Sequence, residues 1–191
     1  MAEAQELLRE LAEAIARCAQ CGLATTRTQT VPGEGPAEAR LMLIGEGPGE
    51  QEDLSGRPFV GAAGQLLTRL LGEAGLRRDE VFITNLVKCR PPRNREPLPE
   101  ETSACRMYLD AQIALVNPKI ICLLGRPATQ ALLSPTAAIS RIHGTPQERD
   151  GIVYVPLYHP AAALHRSDLQ PTLSADMRRV GDLLRRTEEK G

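Results

Sequence analysis

Residues 45–61 read GEGPGEQEDLSGRPFVG, and what flanks them makes this stretch a loop at the end of a β-strand. Upstream, Leu41-Met42-Leu43-Ile44 is the short unbroken apolar run that a strand buried on both faces requires. Downstream, between residues 62 and 74, Leu66, Leu67, Leu70 and Leu71 recur at helical spacing. Strand, glycine-rich loop and helix in that order build open α/β sheets, which take their ligands outside the carboxyl ends of the strands. Five glycines in the stretch let backbone N–H groups approach a ligand closely. Glu46, Glu52 and Asp53 add three carboxylates, and Phe59 is one of only five Phe, Tyr or Trp residues in the chain. Two phosphate loops are excluded. Gly45-Glu46-Gly47-Pro48-Gly49-Glu50 lacks the last glycine of G-x-G-x-x-G, and no lysine supplies the G-K-[ST] of a P-loop. An acidic loop of this kind suits a ligand less charged than a nucleotide phosphate.

Working outward, residues 81–87 form a second strand, 119–124 a third and 152–157 a fourth. Helices are expected at 4–16, 62–74, 99–115 and 172–186, and a further one starts at Gly125-Arg126-Pro127. Strands alternating with helices imply an α/β fold: one domain over residues 1–191, with a central, mostly parallel four-stranded sheet and helices on both faces. Residues 1–35, a helix followed by an irregular polar stretch, are expected to pack on it.

A chain of 191 residues is long enough to bury a core. No apolar run is long enough to span a membrane, and residues 1–17 read as an amphipathic helix rather than a secretory signal, so a cytoplasmic, monomeric protein is expected. A net charge of −1 gives no general signal for nucleic acid. Of the 23 basic residues 20 are arginines, whose planar forks suit phosphate. The connection at 88–99 carries Pro91, Pro92, Arg93, Asn94, Arg95, Pro97 and Pro99, a stiff basic loop that serves either as a solvated linker or as a DNA-backbone contact.

Of the five cysteines, Cys122 sits in the apolar run Ile120-Ile121-Cys122-Leu123-Leu124 and reads as a core residue. Cys18 and Cys21 form a C-x-x-C pair, and Cys89 and Cys105 follow with fifteen residues between them. That spacing leaves both zinc and an iron–sulfur cluster open. The polar residues of interest fall at strand ends: Glu46 to Phe59 after the first, Asn85 in the second, His159 after the fourth. In a parallel sheet those ends share one edge, so these side chains can converge.

Taken together, Gly45-Glu46-Gly47-Pro48-Gly49 with Glu52-Asp53, Gly56-Arg57-Pro58-Phe59-Val60-Gly61, Thr84-Asn85-Leu86-Val87-Lys88-Cys89-Arg90-Pro91-Pro92 and His159-Pro160-Ala161 resemble the family 4 uracil-DNA glycosylases, the iron–sulfur branch of that superfamily. The resemblance runs from about Cys18 to the last helix. It implies a DNA-repair enzyme that flips uracil out of single- or double-stranded DNA and hydrolyses its N-glycosidic bond, leaving an abasic site. It implies Phe59 as the stacking face, Asn85 as the reader of the uracil edge, Gly47 in the base-binding loop, and His159 as the donor to the departing base. Glu46 and Glu52 are the carboxylates implied for catalysis, and Glu52 or the loop backbone is a candidate for excluding the thymine methyl. The best-known branch of the superfamily has an aspartate where this chain has Gly47, which leaves open which group activates water. Leu164 in Ala161-Ala162-Ala163-Leu164-His165-Arg166 is the implied duplex wedge, with Arg93, Asn94 and Arg166 facing DNA. Cys18, Cys21, Cys89 and Cys105 are the implied ligands of a structural 4Fe-4S cluster, zinc being the alternative. A competing reading is a non-catalytic iron–sulfur DNA-binding or redox relative of the same fold.

Overall fold

The computed structural model describes residues 2–188. In chain order the elements are α1 (Ala2–Ala16), β1 (Leu41–Gly45), α2 (Glu50–Ser55), α3 (Ala62–Glu73), β2 (Phe82–Asn85), α4 (Pro99–Val116), β3 (Ile120–Leu124), α5 (Arg126–Leu132), α6 (Ile139–Ile142), β4 (Gln147–Arg149), β5 (Ile152–Leu157), α7 (Pro160–His165) and α8 (Gln170–Glu188). The strands make one sheet in the order β2-β1-β3-β5-β4. β2, β1, β3 and β5 run parallel, while β4 lies antiparallel on the edge.

The sheet therefore has five strands rather than the expected four. The additional strand, Gln147-Glu148-Arg149, is short, polar and mostly exposed, so it carries no apolar alternation. Its hairpin with β5 turns at Asp150 and Gly151, both at positive φ (53° and 77°), the conformation that a tight hairpin demands and Asp-Gly supplies. Charged side chains on this edge discourage pairing with another sheet.

Along β1 the side chains alternate between two cores. Leu41 and Leu43 face a layer built by α3 and α8 with Leu67, Leu71, Leu173 and Met177. Met42 and Ile44 face a second layer with Leu8, Leu109 and Ala128. Cys122 is fully buried in the first layer, where burial pushes its thiol pKa up. The sheet is thus covered on both faces, the condition under which parallel strands become unbroken apolar runs. Residues 18–40 are irregular apart from a 3-10 turn at Gly22–Thr25. Their anchor is a third cluster in which Ile15 and Leu23 pack with Val87, Cys89, Cys105 and Tyr108.

This architecture puts the carboxyl ends of β1, β2, β3 and β5 on one edge, with Gly45 in register beside Asn85 and Leu124 beside Leu157. α3 and α8 pack on each other and together cover that half of the core. Leu67→Ala, at a fully buried position, is expected to cost about 2–5 kcal/mol in denaturant unfolding. Leu7→Ala on the exposed side of α1 should stay within about 0.5 kcal/mol of the parent.

Candidate active site

The strand ends open onto a cleft of about 460 Å³, lined by Glu46, Gly47, Gly49, Glu52, Phe59, Asn85, Asn94, Arg95 and His159 among others. Asn85 ends β2 and is only 1% exposed. Its Oδ1 is the one buried side-chain polar atom among the described residues without a hydrogen-bond partner. There is no slack around it: a Cβ at Gly45 would lie 2.4 Å from Asn85 Oδ1 and 2.6 Å from Phe59 Cζ. Glycine at 45 is what allows the amide and the ring to stand side by side.

Phe59 is held at φ 49°, a left-handed conformation that a bulky residue rarely adopts. Its ring stacks on that of His159 at 5.6 Å between centroids and 29° between planes. His159 is the N-cap of α7, and its Nδ1 accepts the Ala161 N–H at 3.0 Å. In the neutral ring the proton therefore sits on Nε2. Burial drives the His159 pKa down to about 4, against a smaller upward pull from Glu52. The ring is thus a neutral donor at physiological pH.

The two glutamates differ sharply. Glu52 Oε1 accepts the N–H groups of Val60 (2.9 Å) and Gly61 (2.8 Å), while Oε2 accepts that of Gly49 (3.1 Å). Both oxygens are engaged in bracing the loop that carries Phe59. Asp53, buried at 3% exposure, takes the Thr28 N–H at 2.9 Å and so ties the irregular N-terminal stretch to α2. The Glu46 carboxylate makes no hydrogen bond or ion pair among the described residues. Burial raises its pKa above 4.5, with Glu96 adding to the rise and Arg126 opposing it. At Gly47, the position of the aspartate in the best-known branch, a Cβ would come within 2.9 Å of Val87 Cγ2.

Asn94 reaches the cleft from the proline-rich loop and accepts a bond from Arg90 at 2.7 Å, both Arg93 and Asn94 being at positive φ. Arg93 is exposed, whereas Arg95, also on the cleft wall, is paired with Glu101 at 2.7 Å. In α7, Leu164 projects to solvent at 44% exposure while Ala163 is buried in the core, and the exposed Arg166 pairs with Asp168 at 2.9 Å.

Cys18, Cys21, Cys89 and Cys105 line one small apolar cavity. Among the described residues, no three His, Cys, Asp or Glu side chains are drawn together as ligands of a single metal ion. Two donors nonetheless point at the sulfurs: Arg27 Nη1 lies 3.3 Å from Cys89 Sγ and the Lys88 N–H 3.4 Å from Cys105 Sγ. Without a cation, burial raises the Cys89 thiol and pushes Cys105 up to about 11.

Lys88, between this cavity and the cleft, was not singled out by the sequence as a buried group. It is 1% exposed and donates to Asn85 O (2.8 Å), Thr84 Oγ1 (2.6 Å) and Gln112 Oε1 (2.7 Å). Burial pushes its pKa down to about 7. A lysine directly after the apolar Leu86-Val87 was the available signal.

A family model settles the class: that of the uracil DNA glycosylase superfamily matches residues 32–179, so the chain belongs to that superfamily. Within it, the chain is 46% identical over 186 residues to a type-4 uracil-DNA glycosylase of Sulfurisphaera tokodaii, covering 92% of this chain and 84% of the relative. It is 42% identical over 186 residues to the type-4 enzyme of Archaeoglobus fulgidus, covering 93% and 94%. A type-5 uracil-DNA glycosylase of Thermus thermophilus matches at 40% over 119 residues, or 54% of each chain.

A histidine buried as a neutral ring opposes folding at acid pH. Between its unfolded value of 6.5 and its folded value of about 4, the unfolded state binds more protons, so this group's contribution to stability falls as pH drops through that window. NMR titration is expected to show the His159 ring neutral and protonated on Nε2 until pH approaches about 4.

Proposed function

We propose that this chain is a monofunctional type-4 uracil-DNA glycosylase, acting in DNA repair on uracil-containing DNA to leave an abasic site. The observation that carries the reading is the unpartnered Asn85 Oδ1 with the Phe59 ring beside it. The uracil edge offers N3–H as a donor and O4 as an acceptor, which the Asn85 amide matches with Oδ1 and its NH₂. Cytosine offers the opposite pattern and would leave buried groups unpaired, the strong form of discrimination. Stacking on Phe59 adds about 1–3 kcal/mol for a flipped base.

As the N1–C1′ bond breaks, its electron pair leaves with uracil and positive charge builds on the sugar. His159 donates from Nε2–H toward the uracil O2, stabilising the developing anion without giving up a charge of its own. We assign the sugar-facing carboxylate to Glu46 rather than to Glu52, whose oxygens are held by backbone N–H groups. Water then adds to C1′, its hydroxyl closing the sugar while Glu46 accepts the proton, which is passed on through solvent to the released uracil anion. Leu164 is assigned as the wedge and Arg93, Asn94 and Arg166 as DNA contacts; all four are exposed, Asn94 lines the cleft, and the others belong to the segments that carry the cleft residues Asn94 and Ala161. The protein is proposed to act as a monomer.

The four cysteines are assigned to a structural 4Fe-4S cluster. N–H donors toward two sulfurs within an apolar wall are the surroundings that tune cluster thiolates. Zinc would need all four sulfurs at about 2.3 Å from one point. Bound there, the cluster would pin the N-terminal segment to α4 and the β2 end, and hydrolysis needs no electron from it.

Incubated in EDTA with an oligonucleotide carrying one uracil, then treated with alkali, the protein is expected to cut only at uracil and to leave the matched thymine strand whole. Alkali-independent cutting or none at all would refute the proposal. The rate should fall as pH drops through a value above 4.5, the ordinary Glu46 pKa, and Glu46→Gln should lower kcat by about 10²- to 10⁴-fold and remove that acid limb. Purified protein should carry about four irons, and Cys105→Ser should lose both iron and thermal stability.

A further inference from the structure

Phe59 is kept in an unfavourable backbone conformation, and something must hold it there. The fold supplies two devices. Gly64 of α3 packs so closely that a Cβ there would lie 1.9 Å from Phe59 O. On the other side Arg78, whose side chain is only 18% exposed, donates from Nη1 to Phe59 O at 2.9 Å, from Nη2 to Pro58 O, and again from Nη1 to Thr68 Oγ1 at 3.2 Å. The same guanidinium reaches Glu34 Oε1 through Nη2 at 3.0 Å and Nε at 3.3 Å.

Glu34 is itself fastened to the strand that bears the base reader. Its N–H donates to Ile83 O at 2.9 Å and its carbonyl accepts the Ile83 N–H at 2.8 Å, two residues before Asn85. The neighbouring glycines at 33 and 35 allow this close approach, since a Cβ at Gly35 would stand 2.3 Å from Val81 O. Glu34 also accepts from Arg57 at 2.9 Å, but the Arg57 side chain is 61% exposed and its guanidinium bonds only the carboxylate.

We infer that Arg78 and Glu34 form a clasp that sets the position of the stacking ring relative to the reading amide, making Arg78 a positioning residue for base recognition. The inference rests on the proposed uracil-excising function. A planar fork suits the task because it bonds two successive carbonyls and a carboxylate at once, which an ammonium does not. Releasing Arg78 leaves Phe59 free to leave its left-handed conformation and the ring to drift from the slot beside Asn85. Misplacement of that size costs chemistry and pocket affinity rather than affinity for the DNA backbone.

The test uses the whole protein with Arg78→Met, Arg78→Lys, Glu34→Gln and Arg57→Ala. For each, kcat and KM are measured on a single-uracil oligonucleotide, together with inhibition by free uracil, which probes the pocket without DNA. Expected for Arg78→Met is a fall in kcat and in free-uracil affinity of about 10- to 100-fold, with KM for DNA within about twofold. Arg78→Lys should recover little, Glu34→Gln should show a smaller loss of the same kind, and Arg57→Ala should match the parent. Wild-type kcat and uracil inhibition in a folded Arg78→Met, or losses in Arg57→Ala equal to those in Glu34→Gln, would overturn the clasp. Should Arg78→Met fail to fold, Glu34→Gln decides alone: parental kcat and uracil inhibition overturn the inference. Absence of uracil release by the parent protein would instead sink the functional reading beneath it.

Discussion

A buried amide oxygen without a partner costs a folded chain on the order of 1–3 kcal/mol, and Asn85 Oδ1 is in that position. The surroundings are built to keep it so. β2 ends at Asn85, Gly45 on the adjacent strand withholds a side chain, and Phe59 closes the remaining side with a ring that cannot hydrogen-bond in its plane. Lys88, which holds the Asn85 carbonyl together with Thr84 and Gln112, fixes the backbone from below. That unpartnered oxygen is the acceptor to which the proposed function assigns the uracil N3–H.

The carboxylates around the cleft divide the remaining work. Glu52 and Asp53 are spent on backbone N–H groups and give the glycine-rich loop a fixed shape. That leaves Glu46 as a half-buried carboxylate raised by its own desolvation, in the same cleft as a neutral histidine whose tautomer is set by the first turn of α7. In the proposed mechanism the neutral donor and the carboxylate are thus set apart by their surroundings. Lys88 lines the cysteine cavity and also bonds the Asn85 carbonyl, so anchoring the N-terminal segment there also steadies the β2 end.

Much of this was legible in the sequence because parallel strands obey a simple rule. Unbroken apolar runs mark buried strands, and whatever follows them stands on one edge; Glu46, Phe59, Asn85 and His159 line one cleft for that reason. Four of the five strands were read correctly for the same cause. β4 was missed because three polar residues carry no period, although the Asp150-Gly151 turn after it was a usable signal. The parts that depend on contacts between distant segments were not legible. Glu52 bonds the N–H of Gly49, the local reach of a third helix residue to its N-cap, but nothing local announces its bonds to Val60 and Gly61 or pairs Arg78 with Glu34 across 44 residues. The short apolar stretch after His159 forms a helix, with Ala163 turned in and Leu164, the residue implied as the wedge, turned out.

The role of Asn85 is tested most directly by changing its hydrogen-bond pattern while keeping its shape. With Asn85→Asp, kcat/KM is measured on matched oligonucleotides containing a single uracil or a single cytosine. An ionised carboxylate in place of the amide only accepts and so loses the NH₂ donor that meets the uracil O4, so uracil excision is expected to fall by at least about 10²-fold while cytosine excision becomes detectable. Unchanged excision of uracil with cytosine still refused would contradict the assignment of Asn85 as the reader of the base.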